Sequence, residues 1–211
     1  MTNHQHNGAT AYTALASADP VFAELVRRIG TPDPFDFPDD GRTADSPFAG
    51  MVLHILAQQI SVKVAIMLYD RLAHTVGFTP TPESLLRLNT DELRAIGTSH
   101  AKASYLLDLA ERVHSGRLDF AGLSGLPDDA ATAELTQVKG VGPWSAEMFL
   151  VHQLKRPDVL PAGDLGIRLA IQREYSLEEP PAIPAARQRG EAWAPYRTYA
   201  AALLWRSLTA L

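Results

Sequence analysis

A chain of 211 residues with 46% apolar and 20% charged side chains has the make-up of an ordinary globular protein, long enough for one sizeable domain or two small lobes sharing a core. It contains no cysteine, which excludes disulfides, zinc thiolate sites and cysteine-ligated iron–sulfur clusters and fits a reducing cytoplasm. A formal net charge of −5 argues, by itself, against a partner as anionic as DNA; phosphate held by backbone N–H groups and helix N-termini, however, leaves no trace in a charge count.

The opening stretch (MTNHQHNGATAY) lacks the basic and apolar regions of a signal peptide, and residues 1–12 are expected to form a flexible tail ahead of a helical domain over 13–211. From Asp19 or Pro20 through Arg28 a helix is predicted, with Val21, Phe22, Leu25, Val26 and Ile29 on one face and Gly30 as its stop. Thr31–Thr43 is dense in Pro and Asp and reads as loop. Ser46 can cap a long core helix that starts at Pro47 and ends at Gly77, its wide apolar stripe running from Phe48 to Leu72. Thr81–Ala95 predicts a short helix with a further turn from Thr90 or Asp91, and Ser99–Ser115 a clear amphipathic one ending at Gly116. Further helices are expected over Asp128–Val138, from Pro143 to about Lys155, over Leu165–Arg173 and over Tyr196–Thr209. No segment alternates apolar and polar residues between hairpin turns, and no apolar stretch is long enough for a bilayer, so the expected fold class is all-α with no membrane span.

The most specific signal is Leu135-Thr-Gln-Val-Lys-Gly-Val-Gly-Pro-Trp-Ser-Ala146. One helix stops at Gly140, another begins with Pro143, and only Gly140, Val141 and Gly142 lie between. Glycines leave the backbone bare, and the N–H groups of the turn and of the new helix can converge on a phosphate where the aligned peptide dipoles are positive. The alternative is a tight αα-hairpin that only packs two helices. The full pattern, apolar–x–x–apolar–x–Gly–apolar–Gly–Pro–x–Ser–Ala, favours the phosphate clamp.

That pattern resembles the helix-hairpin-helix DNA-binding element, placed at about residues 129–155. With Leu56-Ala-Gln-Gln-Ile-Ser61, Ser99-His-Ala-Lys-Ala-Ser-Tyr105, Leu160-Pro-Ala-Gly-Asp-Leu-Gly-Ile-Arg168 and the Trp193–Trp205 segment in the expected order, the chain resembles the helix-hairpin-helix DNA glycosylase superfamily, in particular the 3-methyladenine DNA glycosylase II family, from about Asp19 to Leu211. The resemblance implies a two-lobed helical fold without an N-terminal β-domain and with its cleft between the lobes. It also implies flipping and hydrolytic excision of alkylated bases such as 3-methyladenine and 7-methylguanine. The partner would be double-stranded DNA containing damaged bases, met by a monomer in the cytoplasm, at the nucleoid if the source is bacterial. A non-enzymatic helix-hairpin-helix protein that recognises distorted DNA is the competing class, and it would need the hairpin but no acid downstream.

Asp164 falls at the family's catalytic aspartate; read from its neighbours alone, it is an N-cap for the helix that follows. A carboxylate can stabilise the positive sugar formed as an N-glycosidic bond breaks, and a purine alkylated at N3 or N7 leaves without an acid. Relatives that also cut the strand carry a lysine two residues after the second hairpin glycine, where this chain has Trp144, so base removal alone is expected. Trp144 and Trp205 are the candidate stacking faces for a cationic base, with core packing as the alternative for each. Met148 stands where a well-known member of the family has a pocket tyrosine. Gln58, Phe48 and His54 are further pocket candidates, and Tyr105 a weaker one. Gln59 is the candidate filler of the space left by the flipped nucleotide, although a pair of glutamines also suits an exposed helix edge. Lys139, Gly140, Val141, Gly142, Trp144, Ser145 and Arg168 are the expected DNA contacts, with Arg197 and Lys102 as further phosphate candidates and surface ion pairs as their alternative. No cofactor is expected, and the seven histidines have no ligating spacing. The resemblance adds only a monovalent cation at the hairpin carbonyls.

Overall fold

The structure, a computed structural model, describes residues 3–209, and among them every regular element is helical. The helices are α1 (Asn3–Ala18), α2 (Pro20–Ile29), α3 (Pro47–Ala57), α4 (Val62–Val76), α5 (Pro82–Leu85), α6 (Thr90–Ala95), α7 (His100–His114), α8 (Phe120–Leu123), α9 (Asp128–Leu135), α10 (Pro143–His152), α11 (Leu165–Glu174), α12 (Ile183–Gly190) and α13 (Arg197–Thr209). Two compact units result, one from the chain ends (Met1–Asp36 with Lys155–Leu211) and one from the middle (Phe37–Leu154).

In the unit of the chain ends, α11 and α13 pack together, and α1 and α2 pack on α13. Its core gathers Phe22, Leu25, Ile167, Ala170, Ile171, Trp193, Tyr199, Leu203 and Leu204. Each fully buried large apolar side chain contributes about 1.5–3 kcal/mol relative to exposure. Two edge-to-face pairs, Tyr12 with Tyr199 at 5.4 Å and Phe22 with Trp193 at 5.2 Å, orient the aromatic groups. The expected tail is corrected here, because residues 3–12 belong to α1. Ala11, Tyr12 and Leu15 form a single helix face and are buried, and so few apolar letters in a polar stretch give little periodicity to read. Helix α12 was not expected either.

In the middle unit, α3 is the central element, buried continuously from Phe48 to Leu56 and in contact with α4, α7 and α10. The long helix expected from Pro47 to Gly77 is two helices. Gln58 turns out of α3 at ψ 125°, Gln59 takes φ 60°, and Ser61 caps α4 through the Val64 amide. A non-glycine residue in this left-handed region costs about 1–2 kcal/mol, so other contacts must hold it there. Apolar spacing does not register such a break when both helices bury the same side.

Candidate DNA-holding hairpin and catalytic carboxylate

The hairpin lies wholly within the middle unit. Helix α9 ends at Leu135 and tightens through Glu134 C=O to the Gln137 amide and Leu135 C=O to the Val138 amide. The Val138 carbonyl then accepts from the Val141 amide at 3.0 Å. Val138 and Val141 are buried and pin the turn from inside. The side chain of Val141 is inside and its amide donates to the Val138 carbonyl, so both groups serve the turn itself.

The two glycines differ. Gly140 has φ 75°, and a Cβ added there would stand 2.2 Å from the Tyr105 ring, so conformation and packing both demand glycine. Gly142 has an ordinary φ of −95°, and an added Cβ would meet nothing within 4 Å. It opens α10 with no side-chain cap, followed by Pro143 in the first turn, whereas α2 to α8 and α11 each begin with an Asp, Asn, Ser or Thr that accepts an amide.

Helix α7 supports this turn from beneath. Tyr105 lies against Gly140, the Lys139 amide donates to Asp108 Oδ2 at 2.8 Å, and Lys139 Nζ reaches Ser104 Oγ at 2.8 Å. Partial burial raises the Asp108 carboxyl, yet the Lys139 amide and the Arg112 guanidinium together hold it below its usual range. Tyr105 is thus a support of the hairpin. Ser104 and Asp108, one helical turn apart, escaped the sequence reading.

Gln58 and Ser145 are also corrected. Gln58 Nε2 donates to the Gly140 carbonyl at 2.9 Å and to Ser145 Oγ at 3.1 Å, so its amide faces the hairpin. Ser145 is 2% exposed, and its hydroxyl is an internal brace. The Gly140 carbonyl accepts from Gln58 and the Val138 carbonyl from the Val141 amide. Lys102, a candidate phosphate contact with a surface ion pair as its alternative, extends Nζ to the carbonyls of Leu56 and Gln58, both at 2.7 Å. Gln59 is exposed, as a DNA contact requires.

Three pocket candidates are buried: Phe48 at 5% exposure, His54 at 2% and Met148 at 8%. As they stand, they offer a base almost no surface. His54 stands edge-on to Phe37 at 5.3 Å, and burial pushes its pKa down to about 4 against an opposing pull from Asp39. Trp144 is half-buried at the start of α10.

In the unit of the chain ends, Asp164 caps α11, with Oδ1 accepting the Ile167 amide at 2.9 Å. The same oxygen accepts Trp205 Nε1 at 3.0 Å. Asp164 is thus a helix cap, and Trp205 reaches it through its N–H. Gly166 makes room, since a Cβ there would stand 3.0 Å from Asp164 Oδ1 and 3.6 Å from the indole. Neither the Trp205 bond nor the need for glycine at 166 has a signal in the sequence, because both depend on α13 lying beside α11. Arg168 is half-buried, with Nη1 3.5 Å from the Pro181 carbonyl. Arg197 grips Asp158 with Nε and Nη2, each at 2.8 Å, which makes it the ion pair rather than the phosphate contact.

No helix among the described residues is long and apolar enough to cross a membrane. The model of the HhH-GPD superfamily of base excision DNA repair proteins matches residues 52–195. DNA-3-methyladenine glycosylase 1 of Schizosaccharomyces pombe is 30% identical over 196 residues, covering 92% of this chain and 84% of its own. YfjP of Bacillus subtilis is 31% identical over 165 residues, 75% of this chain, and the matched region spans 58% of its length. The solved structure of the Schizosaccharomyces pombe 3-methyladenine DNA glycosylase Mag1 in complex with abasic DNA superposes with a TM-score of 0.86 at 29% identity, covering 95% of this chain and 97% of that one. The chain therefore belongs to the HhH-GPD superfamily of base excision DNA repair proteins and, within it, to the 3-methyladenine DNA glycosylases.

Proposed function

We infer that this protein excises alkylated bases from duplex DNA by hydrolysis and leaves an abasic site. The observation that carries this reading is the carboxylate of Asp164, fixed at one oxygen by the Ile167 amide and the Trp205 indole in a member of a glycosylase family. In the reaction the target nucleotide leaves the base stack. The bond between C1′ and the base nitrogen then breaks, and its electron pair goes to the base. A purine alkylated at N3 or N7 is already positive, so it departs neutral without a general acid. Asp164 stabilises the positive charge that develops on the sugar and orients the water that attacks C1′; the water's proton passes to solvent or to the carboxylate.

The hairpin binds a backbone phosphate with main-chain N–H groups, the anion standing where α2 to α8 and α11 have a side-chain cap. This accounts for DNA binding by a chain with a net charge of −5. Lys139 adds a cation beside the turn. The aromatic faces of Trp144 and Trp205 are the proposed stacking surfaces, and Gln59 is the proposed filler of the vacated space. Trp144 at the position of the strand-cutting lysine ends the reaction at base removal. Such work belongs where DNA is, in the cytoplasm if the source is bacterial, and one copy of the chain is sufficient for it.

Release of 3-methyladenine and 7-methylguanine from methylated DNA tests the proposal. Wild type should release both, and Asp164→Asn should be slower by about 100-fold or more at unchanged DNA affinity. Equal rates would remove Asp164 from the mechanism. A wild-type protein that binds but releases nothing would leave a DNA-recognition module, and a covalent adduct trapped by borohydride would point to strand cleavage.

A further inference from the structure

The α3–α4 connection and the hairpin are distant in sequence, yet both are secured by α7 within the middle unit. Lys102 Nζ holds the carbonyls of Leu56 and Gln58, the orphan acceptors at the end of α3. A cation at a helix C-terminus is favourable, and here it replaces the hydrogen bonds that a continued helix would have made. One residue on, Gln59 stands at φ 60°. Gln58 then ties the same connection to the hairpin through Gly140 C=O and Ser145 Oγ. One helical turn after Lys102, Tyr105 packs against Gly140, and one further turn brings Asp108 to the Lys139 amide. One face of α7 thus serves both elements.

We propose that Lys102 is a positioning residue for nucleotide flipping, locking residues 58–61 in their bent form so that Gln59 is presented at a set distance from the phosphate-holding hairpin. The geometry separates two effects. The hairpin has its own supports in Tyr105, Ser104 and Asp108, so loss of the lysine should leave phosphate binding in place. The bend at Gln59 is held on its N-terminal side by Lys102 and Gln58. Without the lysine, two carbonyls lose a charged donor and α3 can extend into the connection, which would swing Gln59 away from the stack. Burial lowers the Lys102 pKa, in keeping with an ammonium withdrawn from water to serve these carbonyls. The proposal rests on the reading of residues 58–61 as an element that meets DNA.

The test uses the full chain with Lys102→Met, Lys102→Arg, Gln58→Leu and Gln59→Ala. Flipping is read as the rise in fluorescence of 2-aminopurine placed beside a lesion analogue that cannot be cleaved, and phosphate holding as affinity for undamaged duplex. Lys102→Met should lose about tenfold or more in the flipping equilibrium while holding undamaged duplex within about threefold, the loss expected for a charged hydrogen bond. Lys102→Arg, whose guanidinium can still donate to two carbonyls, should recover most of it. Gln58→Leu should fall between, and it covers the case in which Lys102→Met is too unstable to assay. Wild-type flipping by both Lys102→Met and Gln58→Leu would overturn the proposal. A parallel fall in flipping and in undamaged-duplex binding, with no rescue by arginine, would also overturn it, since that marks a general support of the fold. If Gln59→Ala flips normally while Lys102→Met does not, the lysine does not act through Gln59 and the proposal is overturned.

Discussion

On the proposed function, the middle unit would offer DNA its main chain: a turn with one glycine forced by its neighbours, one glycine left bare, and a helix that begins without a side-chain cap. The unit of the chain ends would offer one carboxylate, held by an amide of its own helix and by an indole from the last. The first arrangement spreads its support over Gln58, Tyr105, Ser104, Asp108 and Ser145, so no single side chain should be decisive for holding the strand. The second concentrates function in one group, and changes to it or to its two holders should act on the rate. Strand holding is thus expected to fail gradually and chemistry abruptly.

The hairpin glycines give the largest test of that contrast. Gly140→Val adds atoms where Tyr105 stands and forces a β-branched residue to φ 75°, so it should lower stability by about 3 kcal/mol. Gly142→Ala meets no neighbour and keeps an ordinary φ, so urea denaturation should show a loss of no more than about 1 kcal/mol. Its methyl group would point where the strand approaches, and affinity for any duplex should fall about tenfold, or 1.4 kcal/mol. A strong loss of stability in Gly142→Ala, or intact binding, would make the two glycines alike and dissolve the distinction.

Acid should separate the two units by a similar amount. His54, in α3 of the middle unit, has a folded pKa of about 4 against an unfolded value near 6.5, because burial disfavours its charge. A group with a depressed folded pKa that is cationic when protonated binds its proton earlier in the unfolded state. Its contribution is therefore complete above about pH 6.5 and is lost as pH falls toward 4, on the order of 3 kcal/mol in all. Hydrogen-exchange protection factors, taken against the intrinsic rate at each pH, should fall between pH 7 and 4.5 in α3 before α11, and His54→Gln should flatten that dependence. An equal fall in both helices of the wild type would show that the two regions do not differ in this way.

How far all this could be read beforehand follows the range of the forces involved. Helix α2, with Asp19 at its cap and Gly30 at its stop, and α7 with Ser99, are local matters of capping and 3.6-residue spacing, and the sequence displayed them. So was the hairpin, whose glycines and proline lie within a dozen residues. The break at Gln59 was hidden because its causes are Lys102 and Gly140, each more than forty positions away. Helix α1 was missed for the opposite reason, too few apolar letters to show a period until Tyr199 is brought against Tyr12. Asp164 was legible twice, as a cap and by family pattern. That Trp205 points its N–H at that carboxylate depends on the packing of α13 against α11, which no local pattern encodes.

Trp205 offers the finest division between the two modes of holding. As a stacking face it would act on the base, and as a hydrogen-bond donor on Asp164. Trp205→Phe keeps an aromatic surface and removes the N–H, so kcat should fall about tenfold with duplex affinity unchanged. Gly166→Ala, which brings a methyl group to 3.0 Å from the same oxygen, should reach the same end by displacing the carboxylate, with a loss of only a few-fold because Oδ1 can shift by a few tenths of an ångström. A double-mutant cycle decides the mechanism. If the indole N–H works through Asp164, adding Trp205→Phe to Asp164→Asn should cost little further. A full additional tenfold loss in that background would mean that the indole acts on the base directly. The bond between the indole and the carboxylate would then be a packing contact without a part in the rate.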